Sequence, residues 1–250
     1  MAGTAVLGRL TWQVGEVTGT RTETPRTRSL IVDLPHWPGH RAGQHVDIRL
    51  TAEDGYQAVR SYSIASPPED SQVEVTVERL DDGEVSPYLV DEAQPGDQLE
   101  FRGPVGGYFV WDVSRGGPLF LVAGGSGIVP LMSMIRHRQA RHSDIPLTLL
   151  YSVRAPQDVI YRAELDRLAP DGVTIAYTFT REQPEDWTGF ARRIDRDLLR
   201  EEAPPLNTRP LVYVCGPTPF VETAAGLLVE LGYDAGRIYT ERFGATGRER

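Results

Sequence analysis

The chain has 250 residues, 26 basic and 35 acidic side chains, a formal net charge of −9 and a hydrophobic fraction of 40%. That length allows two domains with separate cores, and the composition is that of a folded globular chain, not a disordered or fibrous one. The negative charge argues against general nucleic-acid binding, and a single cysteine, Cys215, excludes an internal disulfide or a thiolate-held iron–sulfur cluster within this chain. The five histidines show no paired ligand spacing, so no protein-bound metal is expected. All basic side chains are arginine, which removes a Schiff-base or P-loop lysine. Residues 1–9 lack a basic start followed by an apolar core, and no apolar run approaches membrane-spanning length; a cytoplasmic protein without membrane insertion is expected.

The first half reads as β. Residues 9–20 alternate through Leu10, Trp12, Val14 and Val17, 29–34 form a second strand, and 44–50 a third with Val46, Ile48 and Leu50 on one side. The fourth strand, 57–66, carries Arg60-Ser61-Tyr62-Ser63, with Arg60, Tyr62 and Ile64 on one face and Val59, Ser61, Ser63 and Ala65 on the other. Residues 72–80 and 98–102 complete six strands, separated by clusters of Gly, Pro and Asp, with one short helix at 86–92. This pattern predicts a six-stranded antiparallel β-barrel. From 118 onward continuous apolar strands (118–123, 147–152, 173–179, 211–215, 237–241) alternate with helices (128–141, 162–168, 195–202, 219–231), which predicts a doubly wound parallel sheet. The change of character near 112–117 divides the chain into domains 1–114 and 115–250.

Several stretches carry chemistry. Arg60 and Tyr62 place a cation beside a ring, with Ser61 and Ser63 as hydroxyls; these suit a bound flavin nucleotide, or equally an ordinary strand with a surface Arg and a half-buried Tyr. Gly124-Gly125-Ser126-Gly127 follows the first α/β strand and leads into a helix with Pro130 in its first turn. Such a turn brings bare backbone N–H groups and a helix N-terminus to an anion, though it is not the GxGxxG pattern. Cys215-Gly216-Pro217 ends another strand, where a thiol is either an activated nucleophile or a buried, inert side chain. Glu241 and Phe243 stand near the last strand's end, as pocket-lining groups or as a solvated cap. Gly83, Val85 and Ser86 precede the short helix and offer a second phosphate cradle or a plain N-cap.

In this order the motifs resemble the ferredoxin–NADP⁺ reductase superfamily, over residues 7–244. The resemblance implies a flavin domain followed by a pyridine-nucleotide domain, with FAD bound by Arg60, Ser61, Tyr62, Ser63, Val77, Gly83, Val85 and Ser86. It implies that Gly125, Ser126, Gly127 and Pro130 hold the nucleotide pyrophosphate, and that Cys215, Gly216 and Pro217 wall the nicotinamide. Phe243 would cover the other flavin face, and Ser63, Cys215 and Glu241 would align the hydride transfer. Many relatives carry a basic residue where Glu78 stands, and Arg79 points to the opposite face of an ideal strand. Arg154, Thr180 and Arg181 stand where a 2′-phosphate would bind, which favours NADPH while leaving NADH open. The implied function is an FAD-dependent NAD(P)H oxidoreductase passing electrons to a separate acceptor protein such as a ferredoxin or an oxygenase. The alternatives are reduction of free flavin or ferric chelates, and a flavin-binding docking subunit without turnover.

Overall fold

A computed structural model describes residues 10–168 and 172–244; the reading of residues 1–9 lies outside the described residues. Strands β1 (Gln13–Thr24), β2 (Thr27–Asp33), β3 (His45–Thr51), β4 (Gln57–Ser63), β5 (Val73–Glu78) and β6 (Gln98–Val105) form one sheet in the order β4-β3-β6-β1-β2-β5. Every pairing in it is antiparallel. Alternation drives the assembly: Val17, Leu30, Val32, Val46, Ile48, Val75, Val77, Leu99 and Phe101 are buried together on one side of it. Gly15 is fixed by this packing, since a Cβ there would stand 2.4 Å from the Leu34 side chain.

Just beyond edge strand β4, Ile64 bridges Val75 of edge strand β5, and Ala65 N donates to Glu74 O, 2.7 Å. Among the described residues no continuous ladder joins the two edges of this sheet. Beyond that bridge the inner face of β4, which carries Arg60 and Tyr62, is bordered by the turn that contains Glu84. The expected helix at 86–92 is present, with Tyr88–Glu92 as its π-helical part, and the Ser86 hydroxyl at its start accepts from Leu80 N.

The second sheet, β7 (Leu119–Gly124), β8 (Leu147–Val153), β9 (Val173–Phe179), β10 (Leu211–Pro217) and β11 (Ile238–Phe243), is wholly parallel in the order β11-β10-β7-β8-β9. Helices α1 (Ile128–Ala140), α2 (Arg162–Leu165), α3 (Arg196–Glu202) and α4 (Thr218–Glu230) connect its strands. Leu119, Leu121 and Ala123 of β7 pack with α1, and Phe120 and Val122 pack with α3 and α4, so helices cover both faces. The chain reverses direction of winding between β7 and β10, and their carboxyl ends form the crevice where such sheets hold ligands.

Helix α1 fixes this sheet against the first one. Ser133 Oγ donates to Ser66 O (2.7 Å), and Arg136 donates to Ala65 O (3.0 Å), Glu74 (3.1 Å) and Glu164 (2.6 Å). Buried His137 lies 2.9 Å from Glu69 and 3.3 Å from Asp112, and the buried Tyr161 hydroxyl donates to Thr76 at 2.6 Å. These polar contacts set the crevice of the second sheet beside strands β3 and β4 of the first.

Candidate functional site

At the carboxyl end of β7 the backbone makes a single 3₁₀ turn, Gly125–Gly127, before α1 begins. Gly127 has no room for a side chain: a Cβ would stand 2.1 Å from Cys215 O. Gly124 and Gly216 are each held by Phe220, 2.8 Å from where a Cβ would be. The β7 and β10 loops thus lie backbone to backbone. Gly125 differs: it has φ +55° and nothing within 4 Å of a Cβ position, so its outer side is open. No side chain caps α1, whose N-terminal dipole end follows this turn, while Ile128 N is already bonded back to Gly125 O and Ser126 O. Backbone donors around an open glycine suit a pyrophosphate, and Pro130, in the first helical turn, removes no donor the helix needs.

The register of β10 on β11 pairs Cys215 with Glu241, and Cys215 Sγ lies 4.0 Å from Glu241 Oε2. Burial raises the pKa of the fully buried Cys215 thiol, and the Glu241 carboxylate raises it further. The thiol therefore stays protonated at neutral pH, which leaves it a role as a wall and not as a covalent nucleophile. Burial also pushes the Glu241 carboxyl up to about 7, although 24% of its side chain still meets solvent. Its polar neighbours among the described residues are that thiol and His45 Nδ1, 3.9 Å from Oε1. A shielded carboxylate without a close donor fits a ligand amide better than it fits the protein alone.

His45 brings the first sheet into the site. It pairs with Ser63 across β3 and β4, so the end of the Arg60-Ser61-Tyr62-Ser63 strand lies beside the Cys215–Glu241 pair. Burial lowers the His45 pKa, and the ring is neutral at pH 7. Sequence reasoning missed this residue. Its position in an alternating strand is visible, but its approach to Glu241 depends on the packing of the two sheets.

Along β4, Tyr62 packs half-buried on the barrel core, and burial raises its phenol pKa. Arg60 pairs with Glu84, whose other oxygen accepts from the Tyr56 hydroxyl at 2.8 Å. The Ser61 hydroxyl lies on the opposite face and donates to Asp47 at 2.6 Å, where Arg102 also binds. Ser61 thus faces away from Arg60 and Tyr62, and its backbone is what it can offer a ligand. Gly83 is required by the turn, because a Cβ would stand 2.7 Å from Ser86 Oγ. Val77 and Val85 are fully buried in the core, so only their backbone can face a ligand. Glu78 is exposed, and Arg79 is held by Asp81 and Asp91.

The loops after β8 and β9 are tied together: Thr180 N donates to Val153 O (2.9 Å) and Arg181 N to Arg154 O (2.9 Å). Arg154 and Arg181 are exposed, and no side-chain ion pair joins either to another described residue. Arg162, by contrast, is bound to Asp166 at 3.0 Å. Phe243, opposite Pro217 at the end of β11, packs partly on the α/β core.

Comparison with known proteins finds relatives for both sheets. The family model of an oxidoreductase FAD-binding domain matches residues 15–110, and that of an oxidoreductase NAD-binding domain matches residues 121–226. The chain is 34% identical to the glycine betaine monooxygenase reductase subunit of Chromohalobacter salexigens, over 88% of this chain and 61% of that protein. It thus spans about three-fifths of that relative's length. It is 30% identical to NADH-cytochrome b5 reductase 2 of Mycosarcoma maydis, over 84% of this chain and 67% of that one. Its fold matches the crystal structure of a ferredoxin NADP⁺ reductase from Neisseria gonorrhoeae with a TM-score of 0.79 at 20% identity, over 92% of this chain and 98% of that chain.

Proposed function

The chain belongs to the ferredoxin–NADP⁺ reductase superfamily, and from that premise we propose that it is an FAD-dependent NAD(P)H oxidoreductase that delivers electrons to a separate acceptor protein. The observation that carries this reading is the meeting of two sheets at one point. Glu241 and Cys215 at the ends of β11 and β10 lie beside His45 of β3, the register partner of Ser63. When bound, a nicotinamide and FAD supply hydride transfer and one-electron transfer.

The chain's own residues bind, orient and exclude water. Arg60 and the Gly83–Ser86 turn supply the donors for a flavin diphosphate, and Tyr62 supplies a ring fixed by the core. The Gly125–Gly127 turn and the N-terminal dipole end of α1 offer backbone N–H groups for the second nucleotide's pyrophosphate. Cys215 closes the crevice wall, and Glu241 offers a carboxylate for a carboxamide N–H. Holding both rings in one geometry is how such a site lowers the barrier. We set the domain division at 114/115, within the short 3₁₀ turn Val113–Arg115 between β6 and β7.

The unpaired Arg154 and Arg181 support NADPH as donor, since a guanidinium suits a 2′-phosphate. NADH is the second donor to test, because Glu182, held by Gln157 at 3.3 Å, adds a carboxylate to the same loop. An oxygenase component is the acceptor class best supported by the name of the Chromohalobacter relative. The test is a comparison of acceptors for the FAD-loaded, NAD(P)H-reduced protein. Faster reduction of a ferredoxin or oxygenase component than of free flavin or ferric chelate supports the reading. Turnover with the small acceptors alone refutes it.

A further inference from the structure

The Arg60 guanidinium is already held by two acceptors of the protein. One nitrogen donates to Val59 O at 2.8 Å, and another is paired with Glu84. Glu84 is held over it by two further contacts: the Tyr56 hydroxyl on its second oxygen, and a turn fixed by Ser86 Oγ on Leu80 N (3.0 Å) and Gly83 N on Leu80 O (3.0 Å). The neighbouring cations give no relief. Arg26 and Arg79 are both bound to Asp81, and Arg79 also to Asp91. At this mouth, among the described residues, one guanidinium thus faces a carboxylate before any ligand arrives. The carboxyl is held below its ordinary range, by the Tyr56 hydroxyl first and by Arg60 after it.

Building on the flavin reading above, we propose that Glu84 is a built-in competitor for the flavin diphosphate, which holds Arg60 and the Tyr56 hydroxyl in the flavin-free protein and weakens FAD binding. A diphosphate that reaches Arg60 must take the guanidinium from Glu84 or share it, placing like charges side by side. The exposed position of Glu84 lets its side chain swing into water, so the competition lowers affinity without blocking the site. Riboflavin carries no diphosphate, so the effect would be confined to ligands that do.

The experiment compares flavin-free wild-type protein with Glu84→Gln, titrating FAD and, separately, riboflavin, with flavin fluorescence as the readout. Glutamine keeps the length and the acceptor for Tyr56 but removes the charge. FAD is expected to bind the variant about two- to fivefold more tightly, the worth of one exposed ion pair, with riboflavin affinity unchanged and the FAD difference shrinking as salt is added. Equal or weaker FAD binding by the variant would overturn the inference. So would a parallel gain for riboflavin. If wild-type protein takes up no FAD at all, the flavin reading itself fails and this inference falls with it.

Discussion

Replacing Glu241 by Gln should stabilise the protein in a way that depends on pH. The Glu241 carboxyl is pushed from an ordinary 4.5 up to about 7 by burial. Below the ordinary value it is protonated in both folded and unfolded chains and contributes nothing. Between 4.5 and about 7 the folded protein retains a proton that the unfolded chain has released, so stability falls as pH rises; above about 7 the full penalty is present. The full displacement corresponds to about 3 kcal/mol. Because 24% of the side chain meets water, the realised figure is about 1–3 kcal/mol. Glutamine cannot ionise and removes the penalty. The assay is thermal or denaturant unfolding of wild type and Glu241→Gln at pH 5 and pH 8, both loaded with FAD and free of pyridine nucleotide. The variant's advantage should be small at pH 5 and grow to about 1–3 kcal/mol at pH 8, roughly 2–4 °C in Tm per kcal/mol for a chain of this size. The same variant should bind pyridine nucleotide more weakly, as a residue kept for function at the expense of stability would. An advantage that does not change with pH, or a variant less stable at pH 8, would refute the reasoning.

Two further substitutions probe the nucleotide side. Gly127→Ala sets a methyl 2.1 Å from Cys215 O, and this backbone clash should cost about 1–3 kcal/mol and weaken pyridine-nucleotide binding; an unchanged Tm and affinity would show that the two loops are not held together as described. Arg181→Ala should raise KM for NADPH about tenfold or less, in line with the loss of one exposed charge contact, while leaving KM for NADH unchanged; equal losses for both donors would show that Arg181 does not read a 2′-phosphate.

Much of this architecture is legible in the sequence because the relevant signals are local. The alternation of 72–80 and the unbroken apolar run 118–123 each force one kind of strand, and β5 and β7 stand within one or two residues of those spans. The Gly125–Gly127 turn and the Cys215 strand end are legible as separate motifs, but their backbone contact is a product of the parallel register of β7 on β10. Other features depend on contacts between distant segments. His45 looks like any polar strand residue until the second sheet brings Glu241 to it. Glu84 looks like a turn carboxylate until the Tyr56 hairpin and β4 converge on it. The expected helix at 162–168 begins at Arg162, just after left-handed Tyr161, but ends at Leu165, with 166–168 in turn conformation. The bridge from Ile64 to Val75 of β5 could not be read from alternation, which specifies strand faces and not the register between the sheet's edges.

The central claim is that one crevice aligns a pyridine nucleotide from the parallel sheet with a flavin on the Arg60–Ser63 strand. The most direct test is anaerobic titration of the FAD-loaded protein with NADPH, and in parallel with NADH, following the visible flavin absorbance. The account predicts that the purified protein is yellow or takes up added FAD stoichiometrically, and that at least one of the two donors bleaches it fully. A protein that takes up no FAD, or whose bound FAD neither donor reduces, would contradict it.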